Sequence, residues 1–200
     1  MGGSSLKIGV LALQGAVEPH FEKLEKLGAT PILVKKENDL EGLAGIILPG
    51  GESTTILHLL KLNQLWNPLK TFAEKRPTWG ICAGAILLAK EVSHPVQDSL
   101  AILSAAVERN AYGRQVASFI GPLEPTPFGK ERFGSEPIEG VFIRAPKFHK
   151  LGTGVMNLFE QAGEPVMIQQ GHCLASAFHP ELSAGTRLHE YFVNQCQSAS

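Results

Sequence analysis

The sequence is poor in cysteine, and the three cysteines it has are far apart. Cys82, Cys173 and Cys196 form no C-x-x-C pair, so the spacing argues against a disulfide framework and a structural zinc site. Cys173 and Cys196 lie in apolar stretches, where core packing is the expected role. We therefore predict no metal site and a reducing, cytoplasmic location that keeps a reactive thiol available.

The sequence also lacks an excess of charge and a long apolar run. Its 18 Lys and Arg against 19 Asp and Glu give no electrostatic reason to expect nucleic acid or an anionic membrane as a partner. No apolar stretch approaches the roughly 20 residues of a membrane-spanning helix. Residues 1–5 lack the charged and apolar regions of a secretory signal, so we expect a short flexible lead-in there.

In the first half, apolar segments typical of strands alternate with segments typical of helices. Because such alternation implies parallel strands joined by right-handed crossovers, it predicts an α/β fold. This is a three-layer sandwich with a central, mostly parallel sheet flanked by helices. We predict strands at residues 7–13, 30–34, 45–48 and 77–79, with helices at 17–27, 54–62, 65–74 and 83–90.

The second half has more Pro and Gly and predicts antiparallel additions to that sheet. We expect a hairpin around residues 170–171, a final helix at 186–197 and a Pro/Gly-rich loop at 121–137. No repeat or linker is evident, so we predict a single domain over residues 1–200. Further strands are predicted at residues 103–107, 115–120, 140–143, 165–169 and 173–178.

A Gly-x-Cys-x-Gly turn centred on Cys82 lies between a predicted strand and a predicted helix. Such a turn can hold a side chain in an exposed elbow, and a helix N-terminus favours a thiolate. The backbone N–H of Ala83 would then face the carbonyl oxygen of an acyl substrate. Taken alone, Cys82 is as compatible with a small buried hydrophobe, but a plain core position has no need of the flanking glycines.

The downstream segment His179-Pro180-Glu181 supplies a base and a carboxylate held close to it by a rigid turn. A carboxylate on one imidazole nitrogen leaves the other nitrogen free to take a thiol proton. Cysteine, histidine and glutamate together favour nucleophilic acyl transfer. The alternative is a histidine that merely ends a strand. We assign surface or packing roles to the other histidines, which are His20, His58, His94, His149, His172 and His189.

Residues 49–53, Pro-Gly-Gly-Glu-Ser, form a Gly-rich turn that opens a predicted helix. The turn lacks the Lys of a Walker loop, so backbone donors for an oxyanion are a better interpretation than a phosphate site. Glu52 is suited to a substrate ammonium, and Arg109 and Arg144 to a substrate carboxylate. Surface salt bridges are the simpler alternative for both arginines.

Together these motifs resemble the class I, triad-type glutamine amidotransferases, and within them the glutaminase subunits of pyridoxal 5'-phosphate synthase. The cysteine elbow with F-H-P-E is shared widely, whereas L-Q-G-A, P-G-G-E-S-T and F-I-R-A-P in this order are more specific. The matching segments are residues 8–16, 48–54, 80–84, 107–110 with 112–115, 141–146 and 178–181.

The resemblance implies hydrolysis of L-glutamine to glutamate and ammonia, with no cofactor in this chain. It implies that Cys82 attacks the side-chain amide, that His179 moves the proton, and that Glu181 orients His179. The backbone amides of Gly51 and Ala83 would bind the oxyanion. The family's glutamine contacts fall on Gly51, Glu52, Ser53, Arg109, Ile143 and Arg144.

The resemblance further implies a partner, a barrel-shaped synthase subunit that receives the ammonia and activates the glutaminase on docking. The segment around Gln14 is implicated in this coupling. The chain departs from the usual pattern at Ala85 and at residues 147–149, which affects the expected channel walls and partner contacts. Two alternatives stay open: another α/β cysteine hydrolase, such as a different amidotransferase or a γ-glutamyl peptidase, and a non-catalytic protein of the same fold.

Overall fold

The computed structural model describes residues 6–109, 111 and 118–199. The expected lead-in at residues 1–5, the motif residues 110 and 112–115, and the first part of the predicted strand 115–120 lie outside these ranges. In chain order the elements are β1 Lys7–Leu11, α1 Glu18–Lys26, β2 Thr30–Val34, a 3₁₀ helix Glu37–Leu40, β3 Gly45–Leu48, α2 Ser53–Leu62, α3 Trp66–Ala73, β4 Thr78–Ile81, α4 Ala83–Leu88, β5 Ala89–Ser93, β6 Leu103–Glu108, β7 Ser118–Pro125, α5 Pro127–Phe133, β8 Ile138–Ile143, β9 Lys147–His149, β10 Met156–Gln161, β11 Glu164–Gln170, β12 Cys173–Ser176, a 3₁₀ helix Pro180–Leu182 and α6 Arg187–Ser198.

The larger sheet has nine strands in the order β2-β1-β3-β4-β12-β11-β10-β7-β8. From β2 to β12 the neighbours are parallel, and from β12 to β8 they are antiparallel. This confirms the α/β prediction of a parallel centre with antiparallel additions. The predicted hairpin is confirmed as well, because Gln170 pairs with Cys173 across the turn between β11 and β12.

The strands β3 and β4 are buried at every residue, which explains their uninterrupted apolar character. Trp79 lies in this core with no solvent exposure. Its indole Nε1–H donates a hydrogen bond to the Ser176 hydroxyl at 2.8 Å, which satisfies the one polar atom of the ring. This bond ties β4 to its parallel neighbour β12.

The prediction of antiparallel pairing for residues 103–107 is wrong for one of the two neighbouring strands. These residues belong to β6 in a separate three-stranded sheet, β5-β6-β9, where β5 and β6 are parallel. The predicted helix 83–90 ends at Leu88, and the chain continues directly into β5. All residues of α4 are buried, so the helix has no polar face. The sequence therefore shows no change in hydrophobic periodicity where the helix ends.

The predicted loop at residues 121–137 is also wrong, because it contains the end of β7 and the helix α5. Pro122 pairs with Glu139 in the antiparallel ladder between β7 and β8. Thr126 caps α5, since its hydroxyl accepts a hydrogen bond from the Gly129 N–H at 3.2 Å. Pro127 then takes the first helical turn, where its missing N–H costs nothing. Pro122 therefore lies within a strand and Pro127 opens a helix, and neither belongs to a long loop.

Helix α4 packs unusually close to the strands beneath it. A Cβ atom on Gly84 would lie 2.0 Å from the Leu48 carbonyl oxygen, and one on Gly80 would lie 2.5 Å from the Gly84 carbonyl oxygen. Neither glycine has a positive φ angle. The two glycines are therefore required by the close approach of the helix to β3 and β4, and not by the turn itself, as the sequence had suggested.

We predict that Gly84→Ala lowers the free energy of unfolding by about 3 kcal/mol, because the added methyl group meets backbone that cannot yield. Urea denaturation at neutral pH measures the change. The matched control is Gly185→Ala, since a Cβ there has no atom within 4 Å and the stability should change by less than about 1 kcal/mol. Equal effects for the two variants would contradict this account of the packing.

Candidate active site

Cys82 lies at the carboxyl end of β4 and directly before α4. Its backbone is in a strained conformation with φ 49° and ψ −101°, a region that non-glycine residues occupy mostly at functional sites. Its N–H donates to the Ser176 carbonyl at 2.8 Å, which anchors the elbow to β12. Because Ala83 is the first residue of α4, its N–H has no acceptor within the helix.

His179 follows β12, the parallel neighbour of β4. Its backbone N–H donates to the Val141 carbonyl of β8 at 2.8 Å, and its ring Nδ1 lies 2.7 Å from Glu181 Oε1. A Cβ atom on Gly50 would lie 2.4 Å from His179 Cε1, so only glycine allows the ring this position. The ring is thus held from both sides.

The pKa of His179 is set by two opposing effects. Burial disfavours the imidazolium, but the hydrogen bonds and charges of Cys82 and Glu181 outweigh burial and raise the pKa to about 10. For Glu181, burial favours the neutral acid, yet the hydrogen bond from His179 and the nearby imidazoles lower the pKa below its ordinary value. With Nδ1 engaged by the carboxylate, Nε2 is the nitrogen available to the Cys82 thiol.

Glu52 is the N-cap of α2. Its carboxylate accepts hydrogen bonds from the Thr54 and Thr55 amides at 3.3 and 2.7 Å and from both threonine hydroxyls. Partial burial acts to raise the pKa of Glu52, but these hydrogen bonds prevail and lower it to about 2. The backbone N–H of Glu52 donates to Gln14 Oε1 at 2.8 Å, which connects the turn at residues 49–53 to the loop after β1.

Arg109 follows β6 and is largely buried. Its Nη2 lies 3.2 Å from Glu52 Oε1, while its Nη1 is buried with no hydrogen-bond partner among the described residues. The hydroxyl of the neighbouring Ser53 donates a hydrogen bond to Gln97 Oε1 at 2.9 Å. Half of the Arg109 guanidinium is thus fixed by Glu52, and the other half is left for an incoming acceptor.

Ile143 and Arg144 come from the end of β8. The Ile143 carbonyl is 3.8 Å from the Cys82 sulfur, within reach of a thiol hydrogen bond. Arg144 is exposed and has a positive φ of 45°, a strained conformation of the kind found at binding sites. The surface salt bridge considered for Arg144 from sequence is not among the ion pairs of the described residues.

All the residues singled out from the sequence line one cavity of about 590 Å³. They are Gln14, Gly51, Glu52, Ser53, Cys82, Ala83, Arg109, Ile143, Arg144, His179 and Glu181. A larger groove of about 860 Å³ lies between the 3₁₀ helix Glu37–Leu40 and α3, but it is lined by no cysteine or histidine. The chemistry of the smaller cavity, rather than its volume, identifies it as the candidate site.

Some neighbours of this site were not predicted from the sequence. Leu182 and Ile86 line the cavity, and His20 of α1 lies behind Glu181, with Nε2 3.8 Å from Oε2. A packing role had been assigned to His20, which is buried but also contacts a carboxylate. Nothing local in the segment around His20 distinguishes it from a core histidine, so no sequence signal was available.

Comparison with known proteins defines the class first. A crystal structure of a glutamine amidotransferase matches with a TM-score of 0.86 at 45% identity, over 95% of this chain and 98% of that chain. The fold is therefore that of the class I glutamine amidotransferases. Within this class, the chain belongs to the SNO glutamine amidotransferase family, whose model matches residues 10–198.

Two curated relatives carry a more specific name. A protein of Kosmotoga olearia is 45% identical over 95% of this chain and 97% of its own length. A protein of Thermus thermophilus is 48% identical over 93% of this chain and 95% of its own length. Each of the two is named pyridoxal 5'-phosphate synthase subunit PdxT.

We predict that the His179 imidazolium makes folding stability depend on pH. Because its pKa rises from 6.5 to about 10 on folding, its contribution is complete below pH 6.5 and is lost as the pH rises towards 10. The free energy of unfolding of the wild type should therefore decline across this range relative to that of His179→Gln. Denaturant titrations at several pH values measure this difference.

The matched control for this prediction is His172→Gln. His172 lies outside the cavity, where its Nε2 contacts the Ala73 carbonyl at 2.9 Å. This variant should keep the wild-type pH dependence. A constant difference between wild type and His179→Gln from pH 6.5 to 10 would disprove the assignment.

Proposed function

We propose that this protein is a glutaminase that hydrolyses L-glutamine to L-glutamate and ammonia for a pyridoxal 5'-phosphate synthase. The observation that carries the proposal is the arrangement of Cys82, His179 and Glu181 in one cavity beside the half-free guanidinium of Arg109. Membership of the SNO family and the names of the relatives support it.

In the proposed mechanism, Cys82 is the nucleophile and Nε2 of His179 takes its proton. The sulfur attacks the side-chain amide carbon of glutamine and forms a tetrahedral intermediate. As the C–N bond of this intermediate breaks, the imidazolium returns the proton to the leaving nitrogen. Ammonia departs, and the glutamyl group remains bound to Cys82 as a thioester. A water molecule, deprotonated by His179, then hydrolyses the thioester to glutamate and regenerates the thiol.

The charge that develops on the amide oxygen needs donors that are already in position. The Ala83 N–H is one, because it opens α4 without an acceptor inside the helix and follows the nucleophile directly. The Gly51 N–H, in the facing turn, is the second donor in our proposal. Glu181 binds Nδ1 of His179 throughout and so keeps the imidazole in one orientation.

The rest of the cavity binds the amino acid end of glutamine. Arg109, held by Glu52, supplies a guanidinium edge for the substrate carboxylate. Glu52 remains ionised well below neutral pH because of its capping hydrogen bonds, so it can also face the substrate ammonium. Backbone and side-chain groups of Ser53, Ile143 and Arg144 complete the proposed contacts from the cavity wall.

The relatives are named as synthase subunits, so we propose a synthase subunit as partner for this chain, with a barrel fold and a cytoplasmic location. Gln14 is the proposed coupling residue, since its side chain holds the Glu52 amide next to Gly51. A partner that moves Gln14 would realign the oxyanion turn. Among the described residues, no helix has the length and apolar character to cross a membrane.

We further propose that residues 1–200 form one domain. The larger sheet combines strands from both halves of the chain, with β12 inserted between β4 and β11. Neither half could keep its hydrogen-bonding pattern without the other. Because strands from both halves share one sheet, we propose a single domain with a single active site.

We predict that ammonia release from L-glutamine is low for the isolated chain and rises many-fold when the cognate synthase subunit is added. The reason is that the Gly51 donor lies in a turn whose next amide, that of Glu52, is held by the side chain of Gln14, the proposed coupling residue. A coupled ammonia assay with and without the synthase subunit measures the effect. Full turnover without any partner would refute the coupling.

The control for this assay is Cys82→Ala, which removes the nucleophile but little volume. It should release no ammonia under either condition and still co-elute with the synthase subunit in size-exclusion chromatography. Wild-type turnover by this variant would exclude Cys82 as the nucleophile. Turnover of γ-glutamyl peptides in preference to glutamine would favour the peptidase alternative instead.

We predict that Arg109→Lys raises KM for glutamine about tenfold with a smaller change in kcat, because lysine keeps the charge but loses the fork that serves Glu52 and the substrate together. Steady-state kinetics of the complex measures both constants. The matched control is Arg76→Lys, because Arg76 lies outside the cavity and its Nη1 donates to the Ala199 carbonyl at 2.9 Å. An unchanged KM for Arg109→Lys would remove Arg109 from the substrate site.

A further inference from the structure

A cluster of buried polar side chains lies behind Glu181, on the side away from Cys82. His20 of α1 is 0% exposed, His189 of α6 is 1% exposed, and Glu181 is 5% exposed. The His20 Nδ1 lies 3.0 Å from His189 Nε2. The His189 ring in turn packs edge-on against Trp79, with centroids 5.0 Å apart. The mechanism proposed above uses none of the atoms of the two histidines.

Three atoms in this cluster, His189 Nδ1 among them, have no hydrogen-bond partner among the described residues, and the other two face each other. They are Glu181 Oε2 and His20 Nε2, which are 3.8 Å apart with both side chains fully buried. An unpaired carboxylate oxygen in a dry interior is costly, and a ring N–H is the donor that relieves this cost. A shift of about 1 Å brings the two atoms to hydrogen-bond distance.

The partners of the two rings select their tautomers. If Nε2 of His20 carries a hydrogen towards Glu181, then Nδ1 of His20 is an acceptor and His189 Nε2 must be the donor to it. The bare nitrogen then falls on His189 Nδ1, which is buried without a partner among the described residues. In this arrangement the unpaired group is one ring nitrogen with a lone pair. The opposite tautomers would leave both the Glu181 oxygen and the His189 Nδ1–H without partners, which costs more.

Both histidines act as neutral dipoles in this arrangement. Burial, partly opposed by the charge of Glu181, lowers the pKa of His20 to about 4. Burial together with the charges of His20 and Lys23 lowers the pKa of His189 far below its usual range. The ionisable groups that act on His20 are thus Glu181 and His179 from the segment after β12, His189 from α6 and Lys23 from its own helix.

Helix α1 is held in place for this contact. Lys23, one turn after His20, donates to the Ser183 and Gly185 carbonyls at 2.7 and 2.8 Å. Both carbonyls belong to the loop that follows Glu181. Within the described residues, no three His, Cys, Asp or Glu side chains are arranged to hold a metal ion.

We propose that His20 is a positioning residue for the catalytic carboxylate: its Nε2–H donates to Glu181 Oε2, and His189 holds His20 in the tautomer that can donate. Glu181 then accepts one hydrogen bond from each side, from His179 on Oε1 and from His20 on Oε2. The carboxylate stays ionised and cannot rotate away from His179. The catalytic consequence rests on the proposed glutaminase function, whereas the effect on Cys82 reactivity does not.

The proposal is tested by the pH dependence of Cys82 alkylation with iodoacetamide, a readout that requires no glutamine. Cys82 is the reactive thiol in this assay, because burial raises the pKa of Cys173 and of Cys196 to about 12. Peptide mass spectrometry confirms the alkylated site. In the wild type, we expect the acid limb of the profile to follow protonation of Glu181, whose charge stabilises the His179 imidazolium.

Three substitutions of His20 separate its donor from its bulk. His20→Phe keeps the ring volume without any donor, His20→Asn keeps a polar atom near the Nδ1 position, and His20→Gln keeps an N–H near the Nε2 position. We expect the acid limb of the alkylation rate to move upward by about one pH unit in the Phe and Asn variants, which is the effect of one lost hydrogen bond to a charged group. The Gln variant should keep the wild-type limb.

The same variants should show a matching shift in the pH profile of glutamine turnover by the complex. The control is His172→Asn, which removes a histidine outside the cavity and should leave both profiles unchanged. If His20→Phe does not fold, the comparison of His20→Asn with His20→Gln still tests the proposal. An unmoved acid limb in folded His20→Asn, or equal shifts in the Asn and Gln variants, would overturn the proposal. A shifted alkylation limb in a protein without glutaminase activity would uphold it and reject the proposed function.

Discussion

The parallel pairing of β4 with β12 is the constraint on which the site depends. Two hydrogen bonds cross this pair at its carboxyl end, from the Cys82 amide to the Ser176 carbonyl and from the Trp79 indole to the Ser176 hydroxyl, each at 2.8 Å. A slip by one residue would turn every side chain of a strand to the other face and leave buried donors unpaired. The register therefore sets the separation of Cys82 from His179, which lies three residues after Ser176.

The two carboxylates of the site are kept ionised in different ways. Glu52 is partly exposed and receives backbone and hydroxyl hydrogen bonds from the first turn of α2, together with the Arg109 guanidinium. Glu181 is buried and lies in the first turn of the 3₁₀ helix Pro180–Leu182, where imidazole rings are its side-chain neighbours. Burial disfavours the charged form in both cases, so the neighbouring donors decide the outcome. This difference is consistent with the roles proposed above, a substrate contact for Glu52 and orientation of His179 for Glu181.

The parallel half of the fold was predictable from the sequence, and the candidate site residues chosen from the sequence do line one cavity. A strand buried on both faces, such as β3, is a short continuous apolar run in the sequence. The turn at Cys82 is marked in the sequence by its flanking glycines. The antiparallel half was harder, because Pro122 and Pro125 lie within β7 and look like loop residues in isolation. Their tolerance depends on which ladder positions need an N–H, which only the pairing reveals. The contact of His20 with Glu181 joins residues 161 positions apart, and no local pattern encodes it.

The hydrogen bond from the His179 amide to the Val141 carbonyl also shapes the wall of the cavity. Strand β8 ends the order of the larger sheet, yet this bond returns it to the segment that follows β12. The antiparallel strands therefore curl into a closed ring, and the cavity wall at Ile143 and Arg144 is braced from behind. Elsewhere on the cavity wall, the Gln14 side chain accepts a hydrogen bond from the Glu52 amide at 2.8 Å, and the Glu52 carboxylate in turn binds Arg109.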